Sequence, residues 1–359
     1  MDKEVLGRKL ADQIDLRIKE HWFPGCVVGI VWANGERLVV PVGRFTYQPD
    51  SAPVTENSIY DVASVTKAIP TACLLLKLVD DGTIGLDDPI AQWIPELTIR
   101  ERNTILMRHL LEFTLSYDTE RYAAEGMKYK SALELQEFLF SSELTAPPGS
   151  AYFYTNAIAI LSGLVIERVT GKPLDVLAED IFFKPLRMAR TGFRPEKLPM
   201  PDIVPTEIDP WRGREIRGEV HDESAWTLRK EKDKCVGSAG LFSTVPDLLT
   251  FLEMLLHHGT LNEGRYFSEA MVAKMHTNQL ASIGEHQGLG WKMERPWMGV
   301  RHSPEAFGMS GFTGTSVLVE PEKGVGVAIL SNGTYPTRER TQKEGLRDKF
   351  RAEVLDLIF

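Results

Sequence analysis

Ile59-Tyr60-Asp61-Val62-Ala63-Ser64-Val65-Thr66-Lys67 decides the reading of this chain. The first four residues are extended in pattern. Ala68, Ile69, Ala72, Leu74 and Leu75 then make an apolar run, so a helix is expected from near Ser64 to about Asp80, ending at Asp81-Gly82. On a helix, positions i and i+3 share a face, which brings the Ser64 hydroxyl to the Lys67 amine. A lysine buried at the start of such a helix is costly unless its proton is released or paired. A hydroxyl beside an amine that can lose its proton is a nucleophile with its own base. The backbone N–H of Ser64, at a helix N-terminus, is also a free donor that an oxyanion could face. Ser-x-x-Lys by itself arises roughly once by chance in a chain of this length. Tyr154-Thr155-Asn156, well downstream, makes the pair specific.

The 359 residues are 43% hydrophobic and 25% charged, ordinary for a folded chain that needs no metal or disulfide staple. The net charge is -9 and no stretch concentrates Lys and Arg, which argues against a nucleic-acid partner. Cys26, Cys73 and Cys235 lie far apart without a C-x-x-C pair. Cys26 and Cys73 sit in apolar runs and read as small buried hydrophobes. Leu6, Leu10, Ile14, Ile18 and Trp22 describe an amphipathic helix rather than a secretion signal. No run approaches a membrane span. The expected location is therefore cytoplasmic, or extracytoplasmic if a leader has been removed.

Cys26–Trp32 and Arg37–Val42 read as two strands of a hairpin turning at residues 33–36. Residues 86–186 are mostly helical, around 105–113, 131–140, 155–170 and 173–183. A polar, proline-dotted stretch, 187–234, has little periodicity and reads as a cleft cover. Helices follow at Val245–His258 and Glu269–Thr277, then strands at Leu289–Glu294, Thr315–Glu320 and Gly324–Ser331, and a helical tail, Thr337–Phe359. The expected fold is α+β, an α/β sandwich. Its antiparallel sheet is built from both chain ends (1–63 plus 240–359) and flanked by terminal helices. The inserted region, 64–239, is mainly helical.

Ser64-Val65-Thr66-Lys67 and Tyr154-Thr155-Asn156 resemble the first two motifs of the serine β-lactamase and penicillin-binding-protein superfamily. The tyrosine form is similar to its class C β-lactamase, D-Ala-D-Ala carboxypeptidase and esterase branch. Pro147-Pro148-Gly149-Ser150, Gly240-Leu241-Phe242-Ser243-Thr244 and the segment from Pro205 to Glu223 agree, so the likeness covers about residues 20 to 335. It implies the β-lactamase/transpeptidase-like fold and a serine hydrolase acting through acyl-Ser64 on amide, peptide or ester carbonyls, with no cofactor. Lys67 would take the serine proton or hold Tyr154 as a phenolate-like base. Asn156 would hydrogen-bond Lys67 and the substrate amide.

The third motif of that family, a cation followed by Ser or Thr and Gly, matches Met309-Ser310-Gly311, with the N–H of Phe312 as the second oxyanion donor. Met309 stands where the cation is expected, and a thioether cannot attract a carboxylate. The substrate is therefore expected to be neutral or weakly anionic. A cell-wall peptide, a β-lactam or an ester remains open, as do a carboxylesterase, a muropeptide amidase and a non-catalytic peptide-binding protein. His221 and Asp222 could contact substrate, but fixing the polar segment over the cleft is the simpler expectation. No His-x-x-x-His or His-Glu-x-x-His pattern supports a metal.

Overall fold

The structure, a computed structural model, describes residues 2–359 apart from the side chains of Arg340, Thr341 and Lys343. A six-stranded antiparallel sheet takes β1 (Gly25–Trp32) and β2 (Arg37–Gly43) from one end of the chain. β3 (Lys292–Met293), β4 (Phe307–Ser310), β5 (Ser316–Glu320) and β6 (Val325–Ser331) come from the other. The spatial order is β2-β1-β6-β5-β4-β3, and the two halves meet where Val28 of β1 stands opposite Ile329 of β6. The helices used below are α1 (Lys3–Lys19), α2 (Cys73–Asp80), α3 (Ala132–Ser141), α4 (Asn156–Thr170), α5 (Glu223–Lys232), α6 (Val245–Leu256) and α7 (Leu346–Ile358).

Period-two alternation sorts the strand residues between two cores. Cys26, Val28 and Ile30 join Val327 and Ile329 against the terminal helices, where Leu10, Ile14, Phe350 and Val354 are buried. Val27 and Val31 turn the other way, with Ala328 and Leu330, onto α6 and the helical region. β1 is buried on both faces and accordingly lacks polar residues. Two glycines set the sheet-to-α6 distance. A Cβ on Gly29 would lie 2.1 Å from a Val245 methyl, and one on Gly326 would lie 3.0 Å from the Leu252 Cβ.

The expected α+β sandwich is the observed fold, with differences that have local causes. The helix expected over 64–80 is broken. Ala63–Lys67 is a 3₁₀ turn, and regular α-helix begins only at Cys73. Pro70, without an N–H and with its ring against the preceding turn, explains the break. The tail divides at Gly345 (φ +62) into Arg338–Lys343 and α7. The polar stretch 187–234 is more ordered than its periodicity suggested. It holds a hairpin pairing Glu207–Asp209 with Arg214–Ile216, and then α5. Among the described residues no helix is long and apolar enough to cross a membrane.

Gly29→Val tests the close approach of α6. Overpacking of this kind costs about 1–3 kcal/mol, so the urea midpoint should fall with the slope unchanged. An unchanged midpoint would mean that α6 can move off the sheet freely.

Candidate active site

The segment before Ser64 is pinned on both sides. Tyr60–Asp61 pairs antiparallel with Phe242–Ser243, and the Val62 N–H bonds the Leu241 carbonyl at 3.0 Å. The buried Asp61 carboxylate accepts from the N–H of Ala63 at 2.8 Å and of His221 at 2.7 Å. Ala63 is thereby held at φ +48, a left-handed conformation uncommon for residues with a side chain. The chain turns there directly into the 3₁₀ segment, in which residues i and i+3 eclipse. Lys67 Nζ accordingly lies 2.8 Å from Ser64 Oγ.

Lys67 is only 2% exposed. Its other hydrogen bond is to the Ser238 carbonyl at 2.8 Å. Burial lowers its pKa to about 8, against a weaker upward pull from Asp222. The amine is thus poised to be neutral just above physiological pH, when it can accept the Ser64 proton.

Tyr154 stands over the same pair. Its ring centroid is 5.2 Å from Lys67 Nζ and 5.4 Å from the Phe113 ring. Although 36% of the residue stays open to the cleft, its hydroxyl engages Ser64, and burial of that end pushes the phenol well above its ordinary value. Tyr154 is therefore a phenol at neutral pH and can pass a proton without being the resting base. Asn156 opens α4 and donates to Asp222 at 3.0 Å. Asp222 in turn caps α5 by accepting from the Ala225 N–H at 2.9 Å. Among the described residues the expected Asn156–Lys67 hydrogen bond is not formed: Asn156 turns to Asp222, while Lys67 bonds Ser64 and Ser238.

The third-motif residues form the turn after β4, and that turn is stitched to the segment before Ser64. Thr313 Oγ1 donates to the Asp61 carbonyl at 2.8 Å and Thr315 Oγ1 to the Val62 carbonyl at 2.9 Å. Gly311 has no room for a side chain, since a Cβ would lie 2.4 Å from the Val62 carbonyl oxygen. The Gly311 carbonyl accepts from the Arg351 guanidinium at 2.5 Å. In a trans peptide the N–H points opposite the C=O, so this bond turns the N–H of Phe312 away from α7. Among the described residues, neither that N–H nor the N–H of Ser64 has a hydrogen-bond partner within the protein. Arg347 adds a bond to the Phe312 carbonyl and lies 4.1 Å from its ring centroid. Ser310 is half-buried, whereas Met309 is fully buried in the larger core.

His221 lies in a buried network rather than in the open cleft. Its Nε2 is 2.8 Å from Glu207, which Arg338 also contacts, and its ring stacks on Phe312 at 5.7 Å. Burial opposes the ionisation of Glu207, yet His221 and Arg338 hold its carboxyl down at about 2. Among the described residues no cluster of ligand-type side chains could hold a metal ion.

Three site residues were not visible in sequence. Asp61 carried a faint signal as a short polar residue before a helix start. Arg351 carried none. Lys292 is a lone lysine on the edge strand β3, paired with Gly308 beside Met309. Its Nζ stands 3.8 Å from the Tyr154 ring centroid, and among the described residues it has no hydrogen bond or ion pair. Burial lowers its pKa to about 7, and Lys67 pushes the same way. An amine that is protonated below about pH 7 thus reaches the site from the strand next to the one where the family pattern carries its cation.

Ser-Lys-Tyr geometry on this sandwich defines a serine hydrolase of the β-lactamase type. The chain belongs to the Beta-lactamase family, whose model matches residues 10–351. A curated relative from Escherichia coli (strain K12), named "Putative D-alanyl-D-alanine carboxypeptidase", is 29% identical over 318 residues, covering 80% of this chain and 72% of the relative. Among solved structures, "EstCE1, a hydrolase with promiscuous acyltransferase activity" superposes with a TM-score of 0.77 at 20% identity, covering 99% of each chain. D-alanine carboxypeptidase AmpC from Burkholderia cenocepacia gives 0.71 at 20% identity, covering 96% of this chain and 99% of that one.

The state of Lys67 yields a pH prediction. Its folded pKa lies below the free value, so the proton-accepting form is lost as pH falls through about 8. The rate of Ser64 phosphonylation by a neutral fluorophosphonate should rise from pH 6 to 9 and level off above. A profile flat across that range would remove Lys67 as the acceptor.

Proposed function

We propose that Ser64 is the acylated nucleophile of this hydrolase and Lys67 its general base. The observation that carries the assignment is the buried Lys67 amine at 2.8 Å from Ser64 Oγ, with its pKa lowered to about 8. Ser64 Oγ attacks the substrate carbonyl carbon and its proton passes to Lys67. The oxyanion so formed is held by the N–H groups of Ser64 and Phe312. On collapse the leaving group takes a proton through the Tyr154 hydroxyl, resupplied from Lys67. Water then attacks the acyl-enzyme and gives a proton to Lys67, which returns one to Ser64 Oγ as the acyl–oxygen bond breaks and the acid is released. Tyr154 stays protonated at rest, in accord with its raised pKa.

Each part of this assignment has a distinct loss. Ser64→Ala should abolish turnover and the fluorophosphonate adduct seen by intact mass. Gly311→Ala, which pushes the Phe312 peptide off the Val62 carbonyl, should cost about 10²-fold in kcat. A labelled Ser64→Ala protein would overturn the nucleophile.

On the leaving side, an amino-acid leaving group with a free carboxylate is favoured by the name of the Escherichia coli relative and by Lys292, whose amine is protonated below about pH 7 and is drawn further into its charged form by a bound carboxylate. A charged hydrogen bond of this kind contributes about 1.5–3 kcal/mol. Lys292→Met should therefore lower kcat/KM on a D-Ala-D-Ala peptide at least tenfold, while changing p-nitrophenyl acetate less than threefold. Equal losses on both would make Lys292 a support for Tyr154 rather than a carboxylate receptor.

A further inference from the structure

Beside Tyr154 and Asn156 opens a cavity of about 330 Å³, enclosed by α3, α4 and α5. Its floor is one stripe of α4, formed by Asn156, Ile160, Leu164 and Glu167, positions that recur on a single helix face. At 1.5 Å per residue the stripe runs about 16 Å from the catalytic end. Leu135 and Leu139 of α3 and Leu228 of α5 wall it. The far end is closed by the Glu167–Lys234 ion pair at 2.7 Å.

Several of the polar groups that line the cavity are bonded to protein neighbours. The Tyr117 hydroxyl donates to the Leu139 carbonyl at 2.8 Å, and those of Tyr122 and Ser224 share a bond of 2.5 Å. Asn156 is bonded to Asp222. Among the described residues, no lining side chain has a buried polar atom without a partner. A polar occupant lying along the Ile160–Leu164 floor would leave its water bonds and find few in return. Well-packed interiors leave few voids larger than a water molecule, and this space is of ligand size.

We propose that this cavity holds the acyl part of the substrate, and that the acyl part is an unbranched hydrocarbon chain. The inference rests on the acyl-Ser64 reading. The group attached to Ser64 must stay while the leaving group departs and water enters, which suits a closed-ended pocket beginning at Tyr154. A narrow stripe along one helix fits a linear chain lying beside α4.

The test is a series of p-nitrophenyl esters from acetate to dodecanoate, with two plugs at different depths. In the unmodified enzyme kcat/KM should rise about fourfold per methylene over the first several carbons. Ile160 and Leu164 lie roughly 6 and 12 Å along the stripe. Ile160→Trp should therefore end the gain near five carbons and Leu164→Trp near nine, with acetate turnover within threefold of the unmodified enzyme. Decanoate should inhibit the unmodified enzyme competitively and lose affinity at least tenfold in both variants. If a tryptophan variant does not fold, Ile160→Phe and the decanoate inhibition of the unmodified enzyme still decide. A flat or falling series with acetate turned over and Ser64 labelled overturns this inference alone. A common cut-off in both variants does the same. No turnover of any ester and no Ser64 adduct would instead overturn the catalytic assignment on which it rests.

Discussion

Lys67 holds an amine, 2% exposed, against the Ser64 hydroxyl, with two oxygen acceptors and, among the described residues, no carboxylate in hydrogen-bond contact. A buried ammonium in that setting is unfavourable, so the amine is drawn toward its neutral form. The arrangement therefore has to be imposed by surrounding structure. The short pairing of residues 60–61 with 242–243 brings in the strand that follows Ser238, whose carbonyl is the second acceptor. Asp61 fixes the turn at Ala63 from the other side. The cost of holding an amine dry is thus distributed over backbone hydrogen bonds that would be satisfied in any case.

What could be read in advance follows the range of the interactions. Ser64 and Lys67 are three residues apart, and their contact needs only one turn of helix. The sheet could be anticipated because β1 and β6 are apolar on both faces, a pattern that survives without knowledge of the partner. Pro70 was in plain view, and its consequence for the 64–80 helix is purely local. The residues that escaped act at long range. Lys292 belongs to a two-residue edge strand with no periodicity to recognise. Asn156 was expected at Lys67 and instead bonds Asp222, because α5, inside a stretch that looked structureless, delivers its cap residue to that point.

The same distinction explains the third motif. Ser310, Gly311 and Phe312 follow the family pattern, and the clash at Gly311 shows why the glycine is needed. Met309 breaks the pattern in sequence, yet the position is buried in the core, and the Lys292 amine, protonated below about pH 7, stands on the adjacent strand. Charge at a site is a property of a volume, and any element bordering that volume can supply it.

The peptide between Gly311 and Phe312 is set from the far end of the chain. A peptide N–H and the carbonyl preceding it belong to one rigid plane, so directing one directs the other. Arg351 binds the Gly311 carbonyl and also reaches that of Thr315 at 3.0 Å, clamping both ends of the turn from α7. A guanidinium on the carbonyl also polarises the peptide, which strengthens the opposite N–H as a donor. Arg351 is fully enclosed, and its burial is made tolerable by these carbonyls and by the Asp348 carboxylate. The C-terminal helix therefore covers one face of the sheet and, through a single residue, fixes the direction of the backbone dipole that the proposed mechanism uses as an oxyanion donor.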